Sequence, residues 1–236
     1  EIRYANLLHK FYLIPYVWYQ IMAITVQIYV GGLIINYLSD IPLNLAMVLM
    51  LGVGLSYSLI SGLRSSIITD FFHVGFILLA IFILIPWVIY LTGLDSIAKG
   101  FSGIHGSSNI WDPQIAFSFG VVTSIGLIAG SIADQQFWQR CFAIREDRLV
   151  RSFVWGGILF GLVPLFLSIL GFIAANPDFA ITPPSNTELP MIGIAVVDAL
   201  LPGWVLIIFF LMLLCGLTSP LDSGLAAGAS LYAIDM

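Results

Sequence analysis

Six apolar runs of membrane-spanning length, separated by short polar breaks, limit this chain more than any other feature. They cover Phe11 to Tyr37, Leu43 to Ser61, Asp70 to Thr92, Ile115 to about Phe137, Ser152 to Ala175, and Gly203 to the end. A run of about 20 apolar residues matches the hydrocarbon thickness of a bilayer when helical. Inside lipid, every backbone N–H and C=O needs a partner within the protein, and a helix supplies one locally. The expected fold is therefore all-α, a polytopic membrane protein of about six transmembrane helices. Composition agrees: 60% of residues are hydrophobic, only 9% are charged, and mean hydropathy is +1.04. A soluble domain carries about 25% charged residues.

The breaks between runs are Ser39-Asp40-Ile41-Pro42, Gly62 to Ser66, Gly93 to Pro113, Arg140 to Arg151, and Asn176 to Pro190. Their Gly, Pro, Asn and Ser content marks them as loops. The stretch Leu189 to Leu200 is expected to form a short surface helix. If the N-terminus is cytoplasmic, Arg3, Lys10, Arg64, Arg140, Arg145, Arg148 and Arg151 all fall on the inner side, leaving only Lys99 outside. That asymmetry sets the expected orientation. The net charge of −5 comes with no basic stripe, so a nucleic-acid partner is not expected. Cys141 and Cys215 make neither a disulfide framework nor a zinc spacing. No nucleophile–base pair is visible, and His9, His73 and His105 are scattered, so an enzyme is not expected. The chain opens on Glu1 and stops soon after a long run, so residues 1–236 are expected to be part of a larger transmembrane domain.

Polar groups at membrane depth are costly and mark candidate functional positions. Asp70 opens the third run; it reads either as a helix cap near the headgroups or as part of an ion path. His73, one turn further in, reads as structural. In the fourth run Gly126, Leu127, Gly130 and Ser131 precede Asp134 and Gln135. The glycines suit either close helix packing or an unwound helix exposing backbone to a solute cavity, and the adjoining polar run favours the cavity. In the sixth run Cys215, Thr218, Ser219 and Asp222 share one helix face. Pro220 leaves the carbonyl of Gly216 without its helical donor. Two hydroxyls and a loosened carbonyl are neutral oxygen donors that suit a hard monovalent cation such as Na⁺. The plainer alternative is that both hydroxyls bond the preceding turn. Small residues from Gly224 to Ser230 then form a packing surface.

Three segments in order resemble the sodium/solute symporter family. Ser61-Gly62-Leu63-Arg64-Ser65-Ser66-Ile67-Ile68-Thr69-Asp70 is similar to its Gly-Gly-Leu and Thr-Asp signature. Asp134-Gln135-Gln136-Phe137-Trp138-Gln139-Arg140 resembles its Asn-Gln…Gln-Arg run, and Leu217 through Asp235 resembles its Ser-Thr…Asp-Ser helix. The resemblance implies a five-plus-five inverted-repeat fold in which the six runs are core helices three to eight, with one, two, nine and ten missing. It implies a Na⁺-coupled symporter of a small polar solute in the plasma (inner) membrane, or alternatively a symporter-like solute sensor of a signalling protein. It matches Thr218 and Ser219 to hydroxyl sodium ligands, Cys215 to a backbone-carbonyl ligand, and Asp70 to an acidic residue on the ion's inward exit. Where sugar-transporting members carry Asn, an aromatic gate and a Lys, this chain has Leu127, Gly130 and Gly161, so sugar is not the expected solute. Urea, an amino acid or a carboxylate stays open.

Overall fold

The computed structural model describes residues 6–101, 112–179, 181 and 190–235. Helices account for nearly all of them. They are α1 (Asn6–Ser39), α2 (Leu43–Thr92), α3 (Leu94–Phe101), α4 (Pro113–Ile115), α5 (Thr123–Ala133), α6 (Gln135–Ala143), α7 (Leu149–Ala175), α8 (Ile192–Leu200) and α9 (Gly203–Ser230). A π-helical stretch, Ala116–Val122, joins α4 to α5, and another, Leu231–Asp235, follows α9. Among the described residues, five helical segments are long and apolar enough to cross a membrane: Leu8–Ser39, Ser66–Thr92, Pro113–Ala133, Glu146–Ala175 and Gly203–Ile234. The remaining expected run survives as a shorter apolar segment, Leu43–Ser56. The protein is thus all-α and polytopic.

The break at Ser39–Pro42 forms as its sequence predicts. Asp40 takes a left-handed conformation (φ 55°) and donates its N–H to the Asn36 carbonyl at 3.0 Å. The Asn36 side chain then donates to the Ile41 carbonyl at 2.7 Å, which closes the turn after the helix. Gly93 (φ 76°) ends α2 in the same way, bonding the Ile89 carbonyl at 2.8 Å.

Three expectations need correction. The polar stretch Gly62 to Ser66 is not a loop, because the backbone stays helical without interruption from Leu43 to Thr92. Glycine and serine break helices in water but are tolerated within membrane helices, where neighbouring helices cover the weak points. The region after Thr92 begins with a helix, α3, rather than a loop. The helix expected before the last span is present as α8, but Ile194, Val196 and Val197 are fully buried, so it is not a surface helix. The rest of the long loops, residues 102–111 and 182–189 with His105 among them, lie outside the described residues.

The chain divides into two compact units. The first comprises Glu1–Phe72, Ser124–Leu149 and Leu214–Met236; the second comprises His73–Thr123 and Val150–Leu213. The core of the second is apolar, built on Ile81, Ile85 and Val88 from α2, Leu170 and Ile173 from α7, and Phe209 from α9. Gly100 of α3 packs so closely on α7 that a Cβ there would stand 1.9 Å from the Phe172 carbonyl oxygen. The first unit buries an unusual set of polar side chains: Gln20, Ser66, Asp134, Gln136, Thr218, Asp222 and Ser223.

Candidate ion site

The polar core of the first unit is built where α2 meets α9. Small residues permit the approach: a Cβ on Gly54 would come within 2.7 Å of the Leu221 side chain. On α2, Gly54, Ser58, Gly62, Ser66 and Asp70 recur every four residues and so form one ridge. Along it the Ser66 and Ser223 hydroxyls bond each other at 2.9 Å. One turn on, the Ser219 hydroxyl donates to Oδ1 of Asp70. The other Asp70 oxygen, Oδ2, accepts from Nη2 of Arg140 at 2.5 Å, and the same nitrogen donates to Ser223 Oγ at 2.7 Å. The Asp70 side chain is 19% exposed, so this ion pair is largely withdrawn from solvent.

Arg140 reaches the site from α6. Asp134 starts that helix with an extended backbone and a side-chain carboxylate that accepts from the Gln136 N–H at 2.9 Å. The Trp138 indole spans the break, donating to the Ile132 carbonyl at 2.9 Å. Gln139 donates to Ser230 on α9 at 2.6 Å, one residue from Arg140. These bonds fix the face of α6 that carries the guanidinium.

Asp222 completes the cluster. It is 2% exposed, with the Ser66 and Ser58 hydroxyls as hydrogen-bond partners, yet its Oδ2 has none. A buried polar atom without a partner is costly. Gln20 of α1 also lacks partners for both amide atoms, and its nitrogen would lie 3.0 Å from a Cβ on Gly224.

The structure treats the expected site residues unequally. Asp70 and Ser219 come together. Asp70 caps no helix, since α2 runs straight through it. The Thr218 hydroxyl donates to its own helix, at 2.9 Å to the Leu214 carbonyl and 3.4 Å to that of Cys215. Cys215 is a free, half-buried thiol one turn before. The α9 helix continues through Pro220. In the fourth run, the expected unwinding at Gly126 to Ser131 does not occur, because α5 is regular there and Ser131 bonds the Leu127 carbonyl at 2.8 Å. The irregular backbone lies on either side, at Ala116–Val122 and at Asp134. Gly126, Leu127 and Ser131 are exposed, Gly130 faces the Tyr19 ring, Asp134 is buried and Gln135 is half-buried.

Sequence reasoning missed Arg140, Ser66, Ser223 and Asp222 as a connected group. The four-residue ridge on α2 was a readable signal for Ser66. Nothing local announces the pairing of Arg140 with Asp70, which lie 70 residues apart.

The ligand atoms that Asp70 and Ser219 could offer are oxygens, which fit a hard cation, and the Arg140 guanidinium lies beside them on Asp70. Among the described residues no three His, Cys, Asp or Glu side chains cluster as metal ligands. Long apolar helices around a buried ionisable cluster define a polytopic helical membrane protein with a candidate functional site at membrane depth. The chain belongs to the sodium:solute symporter family, whose model matches residues 5–236. No curated protein and no solved structure matches it. A protein of this family is a solute transporter in a membrane.

Proposed function

We propose that the chain forms part of a Na⁺-coupled symporter that carries a small polar solute across the plasma (inner) membrane. Asp70 and Ser219 contribute to its sodium half-site. The observation that carries this reading is the hydrogen bond from the Ser219 hydroxyl to the Asp70 carboxylate, made between two apolar helices. A hydroxyl that donates its proton to a carboxylate turns its lone pairs away from that bond, where they can meet a cation. Thr218 and the Cys215 carbonyl extend the same helix face. Their mutual bond at 3.4 Å is long enough to yield to an ion. The solute surface is assigned to Gly126, Leu127, Gly130, Ser131, Asp134 and Gln135. The buried Asp134 and half-buried Gln135 supply its polarity, Gly126 leaves it room, and Gly130 admits the Tyr19 ring at its edge.

Sodium coupling works only through unequal affinity of the two transport states for the ion. Loss of one oxygen ligand therefore appears as a shift in sodium dependence. Ser219→Ala is expected to raise the sodium concentration for half-maximal uptake about tenfold, equivalent to about 1.4 kcal/mol. Asp70→Asn should do at least as much. The measurement is initial uptake of urea, an amino acid and a carboxylate against external sodium, at matched surface expression. Uptake that is insensitive to sodium would overturn the reading.

A further inference from the structure

We propose that Arg140 is an internal competitor of the coupling ion, a guanidinium that occupies the Asp70 carboxylate when sodium has left. The inference rests on the sodium reading above. One carboxylate here serves two partners. Oδ1 accepts from Ser219, and Oδ2 accepts from Arg140 at 2.5 Å. A sodium ion drawing on Ser219 and Asp70 together would stand beside that guanidinium. Two cations a few ångströms apart in a partly buried site repel strongly. Ion binding and the Arg140–Asp70 contact therefore oppose each other.

The guanidinium has somewhere to go. Its Nη2 already bonds Ser223 at 2.7 Å, one turn along α9 from Ser219, and Ser223 in turn meets Ser66. Beyond those hydroxyls lies Asp222, buried, with Oδ2 unpartnered. Asp70 and Asp222 give the cluster two carboxylates for one guanidinium. When sodium takes Asp70, Arg140 can swing toward Asp222 without losing an anionic partner. Each acidic group then has a cation beside it, a balance that a buried cluster needs. Arg140 is thus a positioning residue that sets how readily sodium leaves.

The sign of its effect separates this role from a structural one. A merely structural ion pair, once broken, weakens the site. A competitor, once removed, strengthens it. Binding of ²²Na⁺ to the purified intact protein in lipid nanodiscs measures this without knowledge of the solute. Arg140→Gln is expected to tighten ²²Na⁺ binding about fivefold, the lower end of typical coupling between sites, and to slow its release. Arg140→Lys, which keeps the charge, should stay near the unmodified protein. Should Arg140→Gln fail to fold, Asp222→Asn should weaken binding, since it removes the second carboxylate and leaves the guanidinium on Asp70. Saturable binding that is unchanged or weaker in Arg140→Gln overturns the inference while leaving the sodium reading intact. If the Gln variant does not fold, unchanged or tighter binding in Asp222→Asn does the same. Absence of saturable ²²Na⁺ binding in the unmodified protein overturns the sodium reading itself.

Discussion

The two units of this chain bury opposite things. Among the described residues the second hides apolar side chains such as Ile85, Val196 and Phe209, with only Ser96 and Asn176 as buried polar residues. The first hides seven polar residues beside a much smaller apolar set of Ile34, Ala46, Met50, Leu221, Ala227 and Leu231. Hydropathy separates them only in part: Leu8–Ser39 of the first is less apolar than Glu146–Ala175, almost wholly in the second, yet both are apolar enough to cross a membrane. The difference lies in which face meets a neighbour. An apolar interface is non-directional and tolerates exchange of one hydrocarbon shape for another. A buried polar network must satisfy each atom with a specific partner, and it is costly when one is missing. The second unit thus has an apolar packing core, and the first a polar network that holds the proposed site.

That contrast can be broken by substitution. The largest effect is expected in the apolar unit. Gly100→Val would drive a side chain into the Phe172 carbonyl, where even a Cβ would stand at 1.9 Å. Overpacking of this kind costs about 1–3 kcal/mol, and more where backbone must move. Thermal unfolding in detergent should show a large loss of stability, with any protein that folds keeping its sodium dependence. Asp222→Asn, in the polar unit, should do the reverse. It removes a buried charge whose Oδ2 has no partner. Thermal stability should hold or rise, because an uncompensated buried charge is unfavourable, while sodium-driven uptake falls. A marked drop in unfolding temperature would make Asp222 a stabilising element and blur the comparison.

Smaller effects sharpen it. Thr218→Ala should raise the half-maximal sodium concentration less than Ser219→Ala, because the Thr218 hydroxyl is bonded to its own helix and that of Ser219 to Asp70. Equal shifts would mean that the ion recruits both hydroxyls alike. The smallest effect is expected at Lys99 in the second unit. Its ammonium bonds Asp178 at 2.5 Å, which raises its pKa above the usual lysine value, but the side chain is exposed. A raised pKa means that the pair's contribution is present below the ordinary lysine pKa and is lost as pH climbs through the higher one. Lys99→Met should leave unfolding temperature and uptake unchanged at neutral pH, as expected for an exposed ion pair.

Much of the fold was legible because membrane helices are long and their ends carry local chemistry. Ser39 to Pro42 reads as a break and is one, since Asp40 adopts the left-handed turn and Asn36 closes it. Gly62 to Ser66 reads the same way and is helical. Ser66 at its end meets Ser223 of α9, and sequence spells packing and breaking with the same letters. The glycines of Gly126 to Ser131 are a similar case, lying in a regular helix whose irregular backbone is elsewhere. At the site, Asp70 and Ser219 were readable as depth-misplaced polar groups. Arg140 was not, because its last-turn position in α6 looks like an ordinary loop-facing charge. Its partners become visible only once α2, α6 and α9 are assembled.

The four-residue ridge on α2 also governs which changes in length the gene can accept. Each added residue turns everything downstream by about 100° around the helix axis. One inserted between Gly54 and Asp70 would carry the carboxylate away from both Ser219 and Arg140, whatever the inserted residue is. Four inserted together would overshoot a full turn by only about 40°, at the cost of sliding Asp70 along α9. The segment can therefore drift in spelling at its outward positions, yet its reading length is held constant between those two residues.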